Sequence, residues 1–186
     1  PLRQRTGAPV VALAGNPNVG KSTVFNALTG SRQHTGNWSG KTVANAYGVM
    51  RCGDTGLTLV DLPGTYSLRA RSSEERVARD FLASGEADAA ILVADATCLE
   101  RNLILVLQVL EVMPNAVLCL NLMDEARKKK IEIDLEKLSE LLQVPVVAAS
   151  ARSHQGLDAL MDAVAQLCEH PRTQIACLDY PFVIQN

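Results

Sequence analysis

The motif GNPNVGKS at residues 15–22 constrains the fold of this 186-residue chain more than any other feature. It matches the pattern GxxxxGK[ST], and it stands between a short apolar run at residues 10–14 and a helical pattern. In that context, the backbone N–H groups of the loop and of the helix N-terminus form a concave site for phosphate groups. The alternative is a glycine turn that matches the motif by chance. The sequence predicts a mononucleotide-binding loop after the first strand.

Two side chains of this loop have the chemistry that a nucleoside triphosphate requires. Lys21 supplies a positive charge to the β- and γ-phosphates, and the Ser22 hydroxyl supplies a ligand for magnesium. The predicted phosphate-loop contacts are Gly15, Asn16, Pro17, Asn18, Val19, Gly20, Lys21, Ser22 and Thr23.

Short apolar runs alternate with helical patterns along the chain. The runs at 10–14, 57–60, 89–94, 116–120 and 145–149 are typical of strands buried on both faces of a parallel sheet. Residues 43–52 predict a further strand that returns through a tight turn as a hairpin. We therefore expect an α/β, three-layer P-loop NTPase fold. Its six-stranded, mostly parallel sheet has one antiparallel edge hairpin and helices on both faces.

Capping residues mark the expected helices. Ser72 and Glu75 form a capping-box pattern, and Gly85 is the matching stop signal. Asp134 is a candidate cap for a helix with four leucines at core spacing. Apolar stripes at 99–110 and 157–168 predict two more helices that face the core.

Composition excludes several classes of protein. The apolar fraction of 47% supplies a core that a disordered chain lacks. A net charge of −2 and an aromatic fraction of 4% argue against nucleic-acid binding through charge or base stacking. The basic run at 127–130 is interpreted as a solvated helix end.

No apolar run approaches the ~18 residues of a membrane helix. The five cysteines and three histidines are too scattered for a disulfide framework or a metal site, so we expect small buried thiols.

Two later motifs predict which base the site binds. The motif NLMD at 121–124 follows a buried strand, where a base-binding loop belongs in a doubly wound sheet. The Asp124 carboxylate can accept hydrogen bonds from guanine N1–H and the exocyclic amine, which adenine does not offer. Alternatively, Asp124 caps the following helix. The backbone near Ser150 is a candidate partner for guanine O6. The predicted base-site residues are Asn121, Leu122, Met123, Asp124, Ser150, Ala151 and Arg152.

The motif DLPG at 61–64 ends another predicted strand. Asp61 can reach magnesium through water, and the Gly64 N–H can contact a γ-phosphate. The Thr42 hydroxyl is a candidate magnesium ligand, and the alternative is an ordinary threonine at a strand start. Residues 32–42 and 64–73 are candidate switch segments that hydrolysis would release. The nucleotide site is predicted to include Gly40, Lys41, Thr42, Val43, Asp61, Leu62, Pro63 and Gly64.

These motifs, in this order, resemble the Ras-like superfamily of small GTPases. The resemblance narrows to the ferrous-iron transport protein B (FeoB) family through five runs: GNPNVGKS at 15–22, LTGSRQ at 28–33, GNWSGKTV at 36–43, DLPGTYSL at 61–68 and DATCLERNL at 95–103. It covers about residues 9–170, which it implies are a GTP-binding (G) domain, and residues 171–186 are similar to a linker and the truncated start of a helical domain. It implies catalytic roles for Lys21, Thr42 and Gly64, and magnesium contacts for Ser22, Thr42 and Asp61.

The resemblance also implies the partners. We expect GTP and GDP as ligands, and a membrane permease region of the same full-length polypeptide, which moves Fe(II), as the part that the domain regulates. Small cytosolic Feo accessory proteins are further expected partners, and nucleic acid is not. The full-length protein would place this domain at the cytoplasmic side of a bacterial inner membrane, and the chain by itself would be soluble.

Two positions bear on hydrolysis. Thr65 stands where many small GTPases have a glutamine that orients the attacking water. Threonine reaches less far, so we expect slow intrinsic turnover, about 10⁻³ s⁻¹ or below. Related GTPases with an asparagine at the position of Asn18 bind potassium. We therefore expect potassium to be held by Asn18 and by backbone carbonyl groups near residues 36–38.

Three alternatives remain open from the sequence. A ribosome- or tRNA-associated GTPase shares the phosphate loop but usually has a basic RNA-binding module. An ATPase or nucleotide kinase shares the loop without the preference for guanine. A direct iron-binding module requires clustered ligands, which the sequence does not offer.

Overall fold

The computed structural model describes residues 7–30, 33–37, 44–53 and 55–172. Its strands are β1 (Val10–Gly15), β2 (Gln33–Asn37), β3 (Ala44–Cys52), β4 (Thr55–Asp61), β5 (Ala89–Asp95), β6 (Ala116–Asn121) and β7 (Val146–Ala148). Its helices are α1 (Lys21–Thr29), α2 (Ser73–Ala83), α3 (Leu99–Val112), α4 (Met123–Lys128), α5 (Leu135–Leu142) and α6 (Leu157–Glu169), with a 3₁₀ turn at Ala151–Ser153.

The strands form one sheet in the order β2-β3-β4-β1-β5-β6-β7. The pairs β4–β1, β1–β5, β5–β6 and β6–β7 are parallel, and β3 is antiparallel to β4. This confirms the predicted architecture of six strands with an edge hairpin. A seventh strand, β2, pairs antiparallel with β3 within the segment that the sequence assigned to a switch loop. Its sequence, QHTGN, has no apolar run, because an edge strand needs only backbone hydrogen bonds to one neighbour.

Helices cover both faces of the sheet, as the apolar runs predict. In β1, Val10 and Ala12 join a core cluster with α2, α3 and α5, whereas Val11 and Leu13 join a second cluster with α1 and α6. All four side chains are fully buried. Strands that are buried on both faces are uniformly apolar rather than alternating, which is why these runs mark the sheet centre.

The predicted capping residues are confirmed, with one difference. Ser72 Oγ accepts a hydrogen bond from the Glu75 N–H at 3.1 Å, and the Asp134 side chain accepts one from the Lys137 N–H at 2.9 Å. The Glu75 carboxylate accepts from the Arg71 N–H at 2.8 Å, one residue before the cap, so it ties the preceding segment to the helix.

The cysteines differ in exposure. Cys119 is buried, and burial raises the pKa of its thiol to about 12. Cys52 and Cys168 are half-buried, and Cys98 at the start of α3 is exposed, so the expectation of buried thiols is wrong for Cys98. Cys177 lies outside the described residues. These four described cysteines are free.

Across the described ranges, no helix is both long and apolar enough to span a bilayer. Within the same ranges, no three histidine, cysteine or acidic side chains are grouped so that they could hold a metal ion.

The parallel strands bring the candidate residues to one edge of the sheet. Gly15 ends β1, Asp61 ends β4 and Asn121 ends β6. The register pairs Leu13 with Asp61 and Asp95 with Asn121, so these strand ends lie level with one another. Ligands of doubly wound sheets bind at this end of the strands, and the motifs GNPNVGKS, DLPG and NLMD converge there.

The turn before α6 gives a stability prediction. Gly156 has φ +77°, and a Cβ there would lie 2.1 Å from the Ala148 carbonyl oxygen. Gly85 has a similar φ of +72°, but a Cβ there would have no atom within 4 Å. A substitution at Gly85 therefore measures the cost of the left-handed backbone alone. We expect Gly85→Ala to lower the free energy of unfolding by about 1 kcal/mol, and Gly156→Ala by about 1–3 kcal/mol more. Urea unfolding measures both, and equal losses would contradict the close approach.

Candidate nucleotide-binding site

The phosphate loop and the DLPG motif line one cleft of about 540 Å³. Its lining residues are Asn16, Pro17, Asn18, Gly20, Lys21, Ser22, Thr23 and Gly64. Gly64 lies beside Pro17, since a Cβ on the glycine would be in ordinary van der Waals contact with the proline backbone, at 3.4 Å. The structure therefore brings together the two motifs that the sequence assigned to the β- and γ-phosphates. Gly15 and Val19 are buried beneath the loop.

Backbone conformation explains the residue types in this loop. Gly20 precedes α1 with φ +82°, and a Cβ there would lie 2.4 Å from Asn121 Nδ2. Asn18 is also left-handed, at φ 66°, a conformation that asparagine tolerates better than most residues. The close approach at Gly20 places the start of α1 directly against the loop that follows β6.

The cleft contains a charged pair. Lys21, the first residue of α1, forms a salt bridge with Asp61 at the end of β4. Ser22 follows in the first turn of the same helix and is exposed. A hydroxyl and a carboxylate beside a phosphate-binding loop are the hard oxygen ligands that magnesium prefers, so the donor set fits this ion.

One residue of the predicted site belongs to the core, and several others lie outside the described residues. Leu62 is buried, and its N–H donates to the Leu13 carbonyl at 3.0 Å, so its side chain belongs to the core. Pro63 is half-buried beside it. Gly40, Lys41, Thr42 and Val43 lie outside the described residues, as does Trp38. The magnesium and catalytic roles of Thr42 therefore stay predictions.

Asn121 joins the two ends of the site. Its side chain is buried, Nδ2 donates to the Val19 carbonyl at 3.0 Å, and Oδ1 accepts from the Ala151 N–H at 3.0 Å. One amide thus links the phosphate loop to the turn after β7. The sequence identified Asn121 as a base contact, and the structure adds this bracing role, which its position in NLMD does not reveal.

The candidate base loop is tied to the same turn. The Asp124 N–H donates to Ser150 Oγ at 3.1 Å, and the Met123 N–H donates to the Ala149 carbonyl at 3.1 Å. Asp124 lies half-buried in the first turn of α4, whose N-cap is Leu122 without a side-chain cap. Leu122 is left-handed, at φ 63°. The alternative in which Asp124 caps this helix is therefore wrong, and its carboxylate accepts no hydrogen bond from another described residue.

The segment after DLPG is held against α3. The Thr65 N–H donates to the Gly15 carbonyl at 3.3 Å, and the Thr65 side chain is buried. The Arg101 guanidinium lies 4.9 Å from the centroid of the Tyr66 ring, a cation–π contact. The Leu68 N–H donates a hydrogen bond to Gln108 Oε1 on α3, at 2.7 Å.

Glu75 anchors the other end of this segment. Its two carboxylate oxygens accept from the Ser67 hydroxyl at 3.0 Å and from the Arg71 N–H at 2.8 Å. Hydrogen bonds to this carboxylate lower the pKa of Glu75, and the bond from the Arg71 N–H is the main cause. Sequence reasoning missed the anchoring residues Arg101 and Gln108, because nothing local marks a polar residue in a helix as the partner of a distant loop.

Comparisons with known proteins identify relatives of the whole described fold. A family model described as "Ferrous iron transport protein B" matches residues 9–164. The "Fe(2+) transporter FeoB" of Salmonella typhimurium is 46% identical over 158 residues, which are 83% of this chain and 20% of that protein. The protein of Escherichia coli strain K12 has the same identity and coverage. The chain thus spans about a fifth of the length of the curated relatives it matches.

Solved structures give the same family. The G domain of the T. maritima FeoB iron transporter is 43% identical with a TM-score of 0.81, over 86% of this chain and 98% of that one. The FeoB G-domain from Methanococcus jannaschii is 42% identical with a TM-score of 0.77, over 87% and 98% of the two chains. The T. maritima cytosolic domain "in GDP form I" is 42% identical with a TM-score of 0.88, over 94% and 68%.

The bridge formed by Asn121 gives a prediction with a matched control. Asn121→Ala leaves a buried carbonyl and a buried N–H without partners. Each unpaired group lowers the free energy of unfolding by about 1–3 kcal/mol. We expect lower stability and at least about tenfold weaker binding of a fluorescent guanine nucleotide, since the loops lose their common brace. Asn115, immediately before β6, is also a buried bridging amide, at the opposite end of the strand.

Asn115→Ala is therefore expected to lower stability similarly and to leave nucleotide affinity unchanged. Urea unfolding and fluorescence titration of both variants test this. Equal loss of nucleotide affinity in the two variants would show that general destabilisation, not the bridge, sets the affinity.

Proposed function

Because the chain belongs to the ferrous iron transport protein B (FeoB) family, we propose that it binds GTP and hydrolyses it to GDP and phosphate. The proposal depends on one observation: a phosphate cleft and the Asp124 carboxylate, which accepts no hydrogen bond from another described residue, belong to loops that the Asn121 amide braces together. The relatives include G domains, and one solved relative is described as a GDP form.

We propose that the domain regulates the passage of Fe²⁺ through a membrane region of the longer protein. The curated relatives carry the name of an Fe(2+) transporter, and this chain matches a fifth of their length. An ion crosses a bilayer only through a protein path, so the path belongs to the rest of such a protein. GTP is a cytosolic nucleotide, which supports a position at the cytoplasmic side of the membrane. Accessory Feo proteins remain a proposed partner.

For base recognition, we propose that Asp124 accepts hydrogen bonds from guanine N1–H and the exocyclic amine. The bonds from the Asp124 and Met123 N–H groups to the turn after β7 hold the carboxylate in place. Backbone groups of Ser150, Ala151 and Arg152 lie in that turn and are the candidates for guanine O6. Adenine would leave the carboxylate without a donor, so the site would select against it.

For hydrolysis, we propose that Lys21 and the Gly64 N–H hold the γ-phosphate, with Thr42 completing the site. Ser22 and Asp61 would hold magnesium, which supplies positive charge against the phosphate oxygens when bound. Thr65 is buried and does not line the cleft, so it does not replace the water-orienting glutamine of other small GTPases. This arrangement supports slow intrinsic turnover.

Membership of this family argues against the other functions that the sequence left open. A ribosome- or tRNA-associated GTPase is the second candidate from the sequence, and no observation of the fold favours it. Tight ATP binding would revive the ATPase or kinase alternative and contradict the role of Asp124.

Base specificity is tested by one substitution. Asp124→Asn keeps one acceptor oxygen and replaces the other with an NH2 donor. We expect GDP affinity to fall at least about 100-fold, because one hydrogen bond to guanine is lost and the other no longer has a charged acceptor. Affinity for xanthosine diphosphate should rise, since its C2 carbonyl accepts from the new amide. Competition against fluorescent GDP measures both. Glu125→Gln, on the next residue, is the control and should change neither affinity.

We further propose that potassium assists hydrolysis at Asn18. Asn18 lines the cleft and is exposed, and the structure shows no hydrogen bond of its side chain with another described residue. A cation held there would offset phosphate charge as an arginine finger does. Of the backbone carbonyls expected near residues 36–38, those of Gly36 and Asn37 belong to the end of β2, and that of Trp38 lies beyond the described ranges.

The test compares GTP turnover in potassium and sodium chloride at equal ionic strength. We expect potassium to raise the rate about tenfold or more, a fraction of the 10³–10⁵ effect of an arginine finger. Asn18→Ala should abolish the rise and keep GDP binding within about twofold, because Asn18 would act on the γ-phosphate end. Equal rates in the two salts would overturn the proposal.

A further inference from the structure

An exposed group of cations lies beside the candidate guanine site. Five exposed cations form this group. Two lie in the last turn of α4, two follow that helix directly, and one lies in the 3₁₀ turn after β7: Arg127, Lys128, Lys129, Lys130 and Arg152. We call these five residues the basic patch. The two segments that carry it are those that would hold guanine, so the patch borders the candidate guanine site.

The charges of the basic patch are largely unpaired. Lys128 forms a salt bridge with Glu125 at 2.8 Å. Within the described ranges, the structure shows no ion pair for Arg127, Lys129, Lys130 or Arg152. Hydrogen bonding to Glu125 is the main cause that raises the pKa of Lys128, and the charge of Arg152 opposes this shift. The hydrogen bond from the Asp124 N–H to Ser150 Oγ, at 3.1 Å, brings the two segments together, so Arg152 lies near the end of α4 although the segments are distant in sequence.

Helix geometry accounts for only part of this arrangement. Arg127 and Lys128 lie in the last turn of α4, where cations are favourable. Lys129, Lys130 and Arg152 lie beyond that helix, and like charges at close range repel. The whole chain carries a net charge of −2, so the patch is a local excess on an acidic protein. An unpaired local excess of positive charge is typical of a surface that meets an anionic partner.

We propose that the basic patch binds the anionic headgroups of the membrane to which the transporter belongs. This inference rests on the proposed function, because only a domain tied to a membrane protein is kept close to a bilayer. Clusters of four to eight lysine and arginine residues near a membrane are attracted to anionic lipids, each by about fivefold in binding constant. Attachment of this size is weak and reversible, and tethering to the membrane region makes it effective by raising the local concentration.

Vesicle sedimentation tests the proposal on the 186-residue chain. Vesicles of phosphatidylcholine with about 30% phosphatidylglycerol are compared with vesicles of phosphatidylcholine alone, at low and at high salt. We expect binding to the anionic vesicles only, and its loss in high salt as the charges are screened. The double variant Lys129→Gln/Lys130→Gln should bind about 25-fold more weakly, and Lys129→Arg/Lys130→Arg should bind as the unchanged chain does.

A matched control removes two exposed cations elsewhere. Arg79→Gln/Lys137→Gln changes the net charge equally, but both residues lie on other helices and pair with Asp80 and Glu140. This variant should keep vesicle binding within about twofold if the patch, rather than net charge, is responsible. No binding to anionic vesicles, or equal loss in the two neutralised variants, would overturn the proposal. Salt-sensitive binding of an RNA that exceeds vesicle binding and disappears in Lys129→Gln/Lys130→Gln would overturn it too.

GDP titration of the same samples separates this inference from the proposed function. Lys129 and Lys130 do not belong to the candidate nucleotide site, so their neutralisation should leave GDP affinity unchanged. If no sample binds GDP, the proposed function fails, whatever the vesicle result. If GDP binds and the vesicles do not, only the membrane contact fails.

Discussion

The nucleotide site depends on one buried amide. Asn121 holds the Val19 carbonyl with one end and the Ala151 N–H with the other, and so fixes the distance between the phosphate loop and the base loop. Gly20 is required because its lack of a side chain lets the start of α1 approach this amide. The parallel sheet makes the arrangement possible, since it brings the ends of β1 and β6 to the same edge. The fold and the site are thus joined by a contact between residues about a hundred positions apart.

Local rules predicted most of the sheet and the phosphate loop. The loop was identifiable because phosphate binding requires glycine, lysine and serine at fixed spacing between a strand and a helix. Doubly buried strands were identifiable because they are continuously apolar. The edge strand β2 was missed, because backbone pairing with β3 leaves no apolar signature in its sequence. The bracing role of Asn121 and the anchors Arg101 and Gln108 were also missed, because each contacts a segment that only the fold brings near.

The segment after DLPG connects the phosphate cleft to the outer helices. It begins beside Pro17 in the cleft, passes Arg101 and Gln108 on α3, and ends at Glu75 on α2. Its anchors are few, polar and mostly single hydrogen bonds, whereas the sheet beneath it is held by two continuous apolar clusters. A change at the γ-phosphate would therefore alter this segment and α3 before it disturbed the sheet.

The salt bridge between Lys21 and Asp61 has a consequence for which anions the cleft admits. Each of these side chains already satisfies the other, so a lone phosphate or sulfate ion gains little by displacing the carboxylate from the ammonium. A metal-chelated nucleotide brings an anion for the lysine and a cation for the aspartate in the same encounter. If Lys21 and Asp61 hold phosphate and magnesium as proposed, the pair would favour a metal-chelated nucleotide over the simple salts that are abundant in a cell.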